Sequence, residues 1–261
     1  MKQKDLLRIT LAQVDLIWEN PALNRLNLEI LLTQLSGNCD IVVLPETFST
    51  GFTMRHELYA EPMDGPTVHW MRLLAKSTQI AICGTILISE NDQTYNRFIF
   101  VTPDNQLTSY DKRHLFTMGG ESTGLSEGNN RVVLNYLGWR IALYTCYDIR
   151  FPVWCRNQKD TDLMIFSANW PESRIVVWDI LLKARAIENQ VYVAGVNRIG
   201  TDGNGIRYSG SSQLVNARGE LLTQLPGSSE NLLTFEISLK SLKEFRLKFP
   251  VSNDSDHFVL G

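Results

Sequence analysis

Polar and apolar residues alternate over residues 8–16, and short apolar runs recur at 40–44, 79–88, 97–102, 132–134, 139–146, 163–167, 191–196, 212–215 and 232–237. Alternation predicts a half-buried strand, and the Val/Ile/Leu-rich runs suit strands buried on at least one face. Helical spacing appears between some of them. Asn20 followed by Pro21 has the form of an N-cap with proline at the first helical position, and Leu28, Leu31, Leu32 and Leu35 then make an apolar stripe before Gly37. Further helices are predicted over 66–77 and 174–190, the latter carrying Ile175, Trp178, Leu182 and Ala186 on one face, and over 239–247 before Pro250. Some strands are joined by short turns and others by helices. That mixture predicts an α/β fold of large mixed sheets covered by helices. Nothing in the pattern marks an internal repeat or a linker, so one domain over 1–261 is expected.

Composition narrows the class. The 261 residues are 44% hydrophobic, in the globular range, and carry 25 basic against 28 acidic side chains for a net charge of −3. With no basic block, nucleic acid and anionic membranes are poor partners. No apolar run approaches the ~18 residues of a membrane span, and the N-terminus lacks the apolar core of a signal peptide. A soluble, cytoplasmic protein is expected. Cysteines at 39, 83, 146 and 155 and histidines at 56, 69, 114 and 257 have neither disulfide nor zinc spacing, so no metal is expected.

Three strand ends carry candidate chemistry. Residues 40–44 run through Pro45 into Glu46, where poor solvation would raise a carboxylate towards general-base values; the alternative is an exposed strand-end glutamate. Lys112, in Tyr-Asp-Lys-Arg-His-Leu-Phe (110–116), could hold an oxyanion or simply face solvent. At 141–152 an apolar strand delivers Cys146 to a polar turn with Asp148, Arg150 and Pro152. This is the form of a nucleophile elbow, in which the following N–H, that of Tyr147, points at a reacting carbonyl. Against it stands the ordinary fate of free cysteine, burial as a small hydrophobe. Cys39, Cys83 and Cys155 lack such surroundings and are read that way.

Taken in order, Leu-Pro-Glu46-Thr-Phe, Asp-Lys112-Arg-His-Leu-Phe and Cys146-Tyr-Asp-Ile-Arg-Phe-Pro resemble the three catalytic motifs of the nitrilase (carbon–nitrogen hydrolase) superfamily. Ala12-Gln13, Ser-Ala-Asn-Trp-Pro (167–171) and Ala-Arg-Ala-Ile-Glu-Asn-Gln (184–190) extend the resemblance over nearly the whole chain. It implies a four-layer α-β-β-α sandwich with two mixed sheets, no cofactor, and a homodimer or larger homo-oligomer. It also implies a triad of Glu46 as general base, Lys112 as oxyanion stabiliser and Cys146 as nucleophile. A further family glutamate falls on Glu121, with Glu127 as the substitute.

The chemistry suits these residue types. An ordinary thiol is only a few per cent thiolate at neutral pH, and an adjacent base or a nearby cation corrects this. Glu46 and Lys112 are read as supplying both, with a Cys146–His114 dyad as the lesser alternative. Within the superfamily the motifs look most like the omega-amidase branch, which implies release of ammonia from the terminal amide of 2-oxoglutaramate or 2-oxosuccinamate through a cysteine thioester. Such a small-molecule amide ends in a carboxylate. Arg174 and Arg150 are the candidates to meet it, although Arg150 could instead brace the elbow through Asp148 and Arg174 could be exposed. Trp170 and Phe116 are the other expected substrate contacts. The alternatives are a hydrolase of N-carbamoyl amino acids, nitriles or other aliphatic amides, and a binding protein without activity on the same fold.

Overall fold

A computed structural model describes residues 3–225, 227 and 229–256; His257 lies outside them. In chain order the first half comprises β1 (Leu6–Gln13), α1 (Pro21–Leu32), β2 (Ile41–Val43), α2 (His56–Tyr59), α3 (Pro66–Thr78), β3 (Ala81–Glu90), β4 (Gln93–Val101) and β5 (Leu107–Asp111). The second comprises β6 (Val133–Tyr136), β7 (Trp139–Thr145), β8 (Leu163–Ala168), α4 (Ile175–Asn189) and β9 (Tyr192–Asn197). After these come β10 (Ile199–Thr201), β11 (Arg207–Ser209), β12 (Gln213–Val215), β13 (Leu221–Gln224), β14 (Asn231–Ser238) and α5 (Leu239–Lys248).

The strands make two six-stranded mixed sheets, ordered β14-β1-β2-β3-β4-β5 and β13-β12-β9-β8-β7-β6, with β10 and β11 as a separate ribbon. Each large sheet has three parallel strands at its centre, β1-β2-β3 and β7-β8-β9, flanked by antiparallel neighbours. The period-two pattern of the strands divides the first sheet between two layers. Ile9, Leu11, Ile41, Val43, Ala81 and Cys83 join one buried cluster with Leu143, Ile165 and Val193 of the second sheet. The alternate residues Val42, Ile82 and Ile99 cluster instead with Leu28 and Leu32 of α1 and Met71 and Leu74 of α3. On the second sheet Trp178, Leu182 and Ala186 of α4 complete the core. Gly195 of β9 permits this approach, since a Cβ there would stand 2.6 Å from the Leu182 methyls. The layering is the expected α-β-β-α sandwich.

The elements missed by the pattern are short or polar: β5, β10, β11, β13 and α2. β5 and β13 are sheet edges, where one-sided burial weakens the hydrophobic signal. The opening strand also ends at Gln13, earlier than residue 16, and Asp15 keeps only an isolated bridge to Ile199. Among the described residues, no helix is long and apolar enough to cross a membrane.

Candidate active site

The ends of β2, β5, β7 and β8 bring Glu46, Lys112, Cys146 and Asn169 together. The Glu46 turn is held from both sheets. Leu44 N–H continues the ladder to Cys83 O at 2.7 Å, Phe48 N–H reaches Thr85 O at 3.1 Å, and Ser167 Oγ donates across to Leu44 O at 2.6 Å. Pro45 has no N–H to extend the strand. Gly84 makes room for the turn, because a Cβ there would lie 2.8 Å from Leu44 Cβ and 2.9 Å from Phe48. Thr47 follows at a left-handed φ of 41°, its N–H bonded to Thr85 Oγ1 at 2.7 Å.

Cys146 also has a left-handed φ of 41°, a conformation unfavourable for non-glycine residues and sustained by its surroundings. It opens a 3₁₀ turn, Cys146–Arg150. Buried Asp148 braces that turn, accepting from Thr145 N–H at 3.0 Å, the Tyr110 hydroxyl at 2.7 Å and His114 N–H at 3.0 Å. His114 Nδ1 stands 2.9 Å from the same carboxylate, and its ring stacks on Phe151 at 3.7 Å. Two alternatives end here. His114 is committed to Asp148 and forms no dyad with the thiol, and Arg150 does not brace Asp148.

Glu46, Lys112 and Glu121 form one buried cluster. Lys112 Nζ donates to Glu46 Oε1 at 2.8 Å and to both oxygens of Glu121 at 2.9 and 2.7 Å. Glu46 Oε1 also accepts from Asn96 Nδ2 at 2.8 Å, and Oε2 from Asn169 N–H at 2.9 Å. Glu121 Oε2 takes Phe116 N–H at 2.6 Å. Glu127, by contrast, is exposed and pairs with Arg113 at 3.5 Å. Burial separates the two glutamates where spacing could not.

The electrostatics correct one expectation. Two carboxylates face a single ammonium, so Lys112 is not free to stabilise a thiolate. Burial pushes the Cys146 thiol well above the ordinary range and Glu46 adds to this, while Lys112 pulls the other way without prevailing. Glu46 is itself raised, by burial first, with Lys112 opposing and Glu121 reinforcing. Lys112 keeps its proton because the attraction of Glu121 and Glu46 overcomes the cost of burying its charge. Burial and the Glu46 carboxylate thus favour a neutral thiol over a thiolate–cation pair.

Cys146 opens onto a cavity of about 350 Å³. Lys112, Phe116, Tyr147, Arg150, Trp170 and Arg174 all line it, so the structure brings every expected contact except the buried Glu46 and Glu121 to its wall. Arg150 lies over the Trp170 ring at 5.1 Å and Arg174 over Phe116 at 5.2 Å. Neither guanidinium has an ion-pair partner among the described residues. The β10–β11 ribbon adds Asn204, Ile206 and Tyr208. Sequence reasoning missed these wall residues, together with Phe52, Met54 and Met118. It also missed Asn96, which lies in the polar first half of β4 just before the apolar run, and assigned no role to Asn169, although it singled out the segment that holds it.

A buried carboxylate, an ammonium and a cysteine at converging strand ends of an α-β-β-α sandwich make the arrangement of an amide-type hydrolase site. The chain belongs to the carbon–nitrogen hydrolase family, which it matches over residues 8–247. It is 42% identical to the omega-amidase YafV of Yersinia enterocolitica, over 97% of this chain and 98% of that one. It is 31% identical to a 2-oxoglutaramate amidase of Bacillus subtilis, over 94% and 96%. A CN-hydrolase superfamily protein of Xanthomonas campestris, whose crystal structure carries an arsenic adduct in the active site, superposes with a TM-score of 0.97. It shares 43% identity, with 99% of this chain and 100% of that one covered.

Proposed function

We propose that this protein is an omega-amidase, hydrolysing the terminal amide of 2-oxoglutaramate or 2-oxosuccinamate to the 2-oxo dicarboxylate and ammonia. The observation that carries the reading is the cavity itself, with Cys146 and Lys112 on its lining, Glu46 buried behind them, and two guanidiniums without carboxylate partners on its wall. Glu46 takes the Cys146 proton as sulfur attacks the amide carbon. The oxyanion is held by Lys112 and the Tyr147 N–H. All three Lys112 N–H bonds are engaged at rest, and protonation of Glu46 weakens its hold on one of them as the oxyanion forms. Glu46 returns the proton to nitrogen, ammonia leaves and a thioester remains. Glu46 then deprotonates water, which attacks the thioester carbon, and the departing sulfur recovers its proton. Glu121 holds Lys112 in place throughout.

Arg174, with Arg150 as the alternative, meets the distal carboxylate, and Trp170 and Phe116 form the walls beside it. We read the chain as a single catalytic domain working in the cytoplasm as a homodimer or larger homo-oligomer. Exposed Val176, Ile180 and Ile187 on one face of α4 support assembly. The test is ammonia release by freshly reduced protein from 2-oxoglutaramate, a neutral amide of equal length, an N-carbamoyl amino acid and a nitrile. The acidic amide should be the best substrate. Faster turnover of any of the others overturns the omega-amidase reading, and no release from any of them points to a binding protein.

A further inference from the structure

Asn96 is the second donor that the two buried carboxylates share. Its Nδ2 stands 2.8 Å from Glu46 Oε1 and 3.2 Å from Glu121 Oε1, while its Oδ1 is buried with no hydrogen-bond partner. A buried amide oxygen left unpaired is unusual. Turning the amide over would place that oxygen against two carboxylate oxygens, so the acids themselves dictate its orientation. Asn96 lies within β4, opposite Leu87 of β3, and its backbone carbonyl accepts Lys112 N–H at 3.0 Å. It is therefore fixed to both neighbouring strands and stands behind Glu46, and it is not itself among the residues that line the cavity.

We propose that Asn96 is a positioning residue for the hydrolysis: its N–H keeps Glu46 ionised and turned towards Cys146 by preventing Glu46 and Glu121 from sharing a proton. The proposal rests on Glu46 being the base. Two carboxylates converging on one ammonium otherwise behave as a coupled pair, one of which retains a proton well above its usual range. The shorter arm of the Asn96 amide goes to Glu46, so the amide stabilises the ionised form of that carboxylate more than that of Glu121. The groups facing Glu46 are Lys112, Glu121, Cys146 and Tyr208, and burial holds the last two neutral. With Asn96 gone, Lys112 and the Asn169 N–H are left to oppose burial and the Glu121 charge.

The experiment is kcat and KM of Asn96→Ala measured from about pH 5 to about pH 9 on the best amide substrate. Loss of a hydrogen bond to a charged group should move the acid limb of kcat/KM upward by about one pH unit. On that limb kcat should fall about tenfold, with KM within about twofold of the parent because Asn96 touches no substrate. Asn96→Ser, which keeps a shorter donor, should show a smaller displacement in the same direction. An unmoved acid limb in both variants overturns the proposal. So do parallel losses of kcat and KM with a lowered Tm, or the failure of both variants to fold, since either makes Asn96 merely structural. Glu46→Gln distinguishes the levels. If it is inactive while Asn96→Ala keeps the parental limb, only this inference fails; if it is fully active, the assignment of the base fails first.

Discussion

Replacing Lys112 by methionine tests the electrostatic account of the site, because it removes the charge and keeps most of the stem. In the parent, Nζ lies 2.8 Å from Glu46 and 2.7 Å from Glu121, with all three side chains buried. Taking one partner from a buried ion pair costs about 3–5 kcal/mol, most of it from the charge left behind. Here two carboxylates remain, sharing the Asn96 amide. They relieve their repulsion by keeping a proton, so the folded variant binds more protons than the unfolded chain between the ordinary glutamate pKa of about 4.3 and the raised folded value. Within that window stability falls as pH rises, by about 1.4 kcal/mol per pH unit. The parent carries a weaker form of the same slope, since burial raises Glu46 while Lys112 opposes it. Removing Lys112 should extend the window upward. Urea unfolding of parent and Lys112→Met at about pH 5, 6, 7 and 8 should give a stability difference that grows with pH. Lys112→Met combined with Glu121→Gln should recover part of the loss and flatten the slope, with both variants inactive. A difference below about 1 kcal/mol that is flat with pH, or a double variant less stable than the single one, would refute the reasoning.

Two further expectations concern the thiol and the cavity wall. Cys146→Ala should abolish ammonia release with the fold intact, and Cys146→Ser should be very poor because Glu46 must then ionise a weaker acid. Cys39→Ala, Cys83→Ala and Cys155→Ala should retain activity, and normal release from Cys146→Ala would end the thioester mechanism. Arg174→Ala should lose about ten- to a hundredfold in kcat/KM on an acidic amide, the worth of one charge-assisted hydrogen bond, and little on a neutral amide of the same length. Equal losses on both substrates would make Arg174 structural, and no loss on the acidic one would move the contact to Arg150.

Glu46 and Cys146 could be singled out as candidates in the chain because their signal is local. In each case an apolar strand stops at a turn, and the side chain at that break has to sit at a strand end whatever else the fold does. Large mixed sheets covered by helices follow from the same periodicities, whereas the four-layer pairing was implied by the resemblance of three ordered motifs, which also favoured Glu46, Lys112 and Cys146 over their ordinary alternatives. What spacing could not supply was anything that depends on neighbours distant in sequence. Glu121 and Glu127 look alike along the chain, and only burial against Lys112 separates them. His114 sits beside the lysine motif, yet Asp148, 34 residues on, claims its ring. β5 is short, polar and at an edge, so its pattern is weak even though it carries Lys112 to the site. Asn96 has no meaning until strand pairing sets it between two acids. The state of the thiol is likewise a property of the assembled cluster. A lysine next to a cysteine suggests a thiolate, but burial and two carboxylates around one ammonium make it a neutral thiol, because charge in a low-dielectric interior is summed over every neighbour in space and not along the chain.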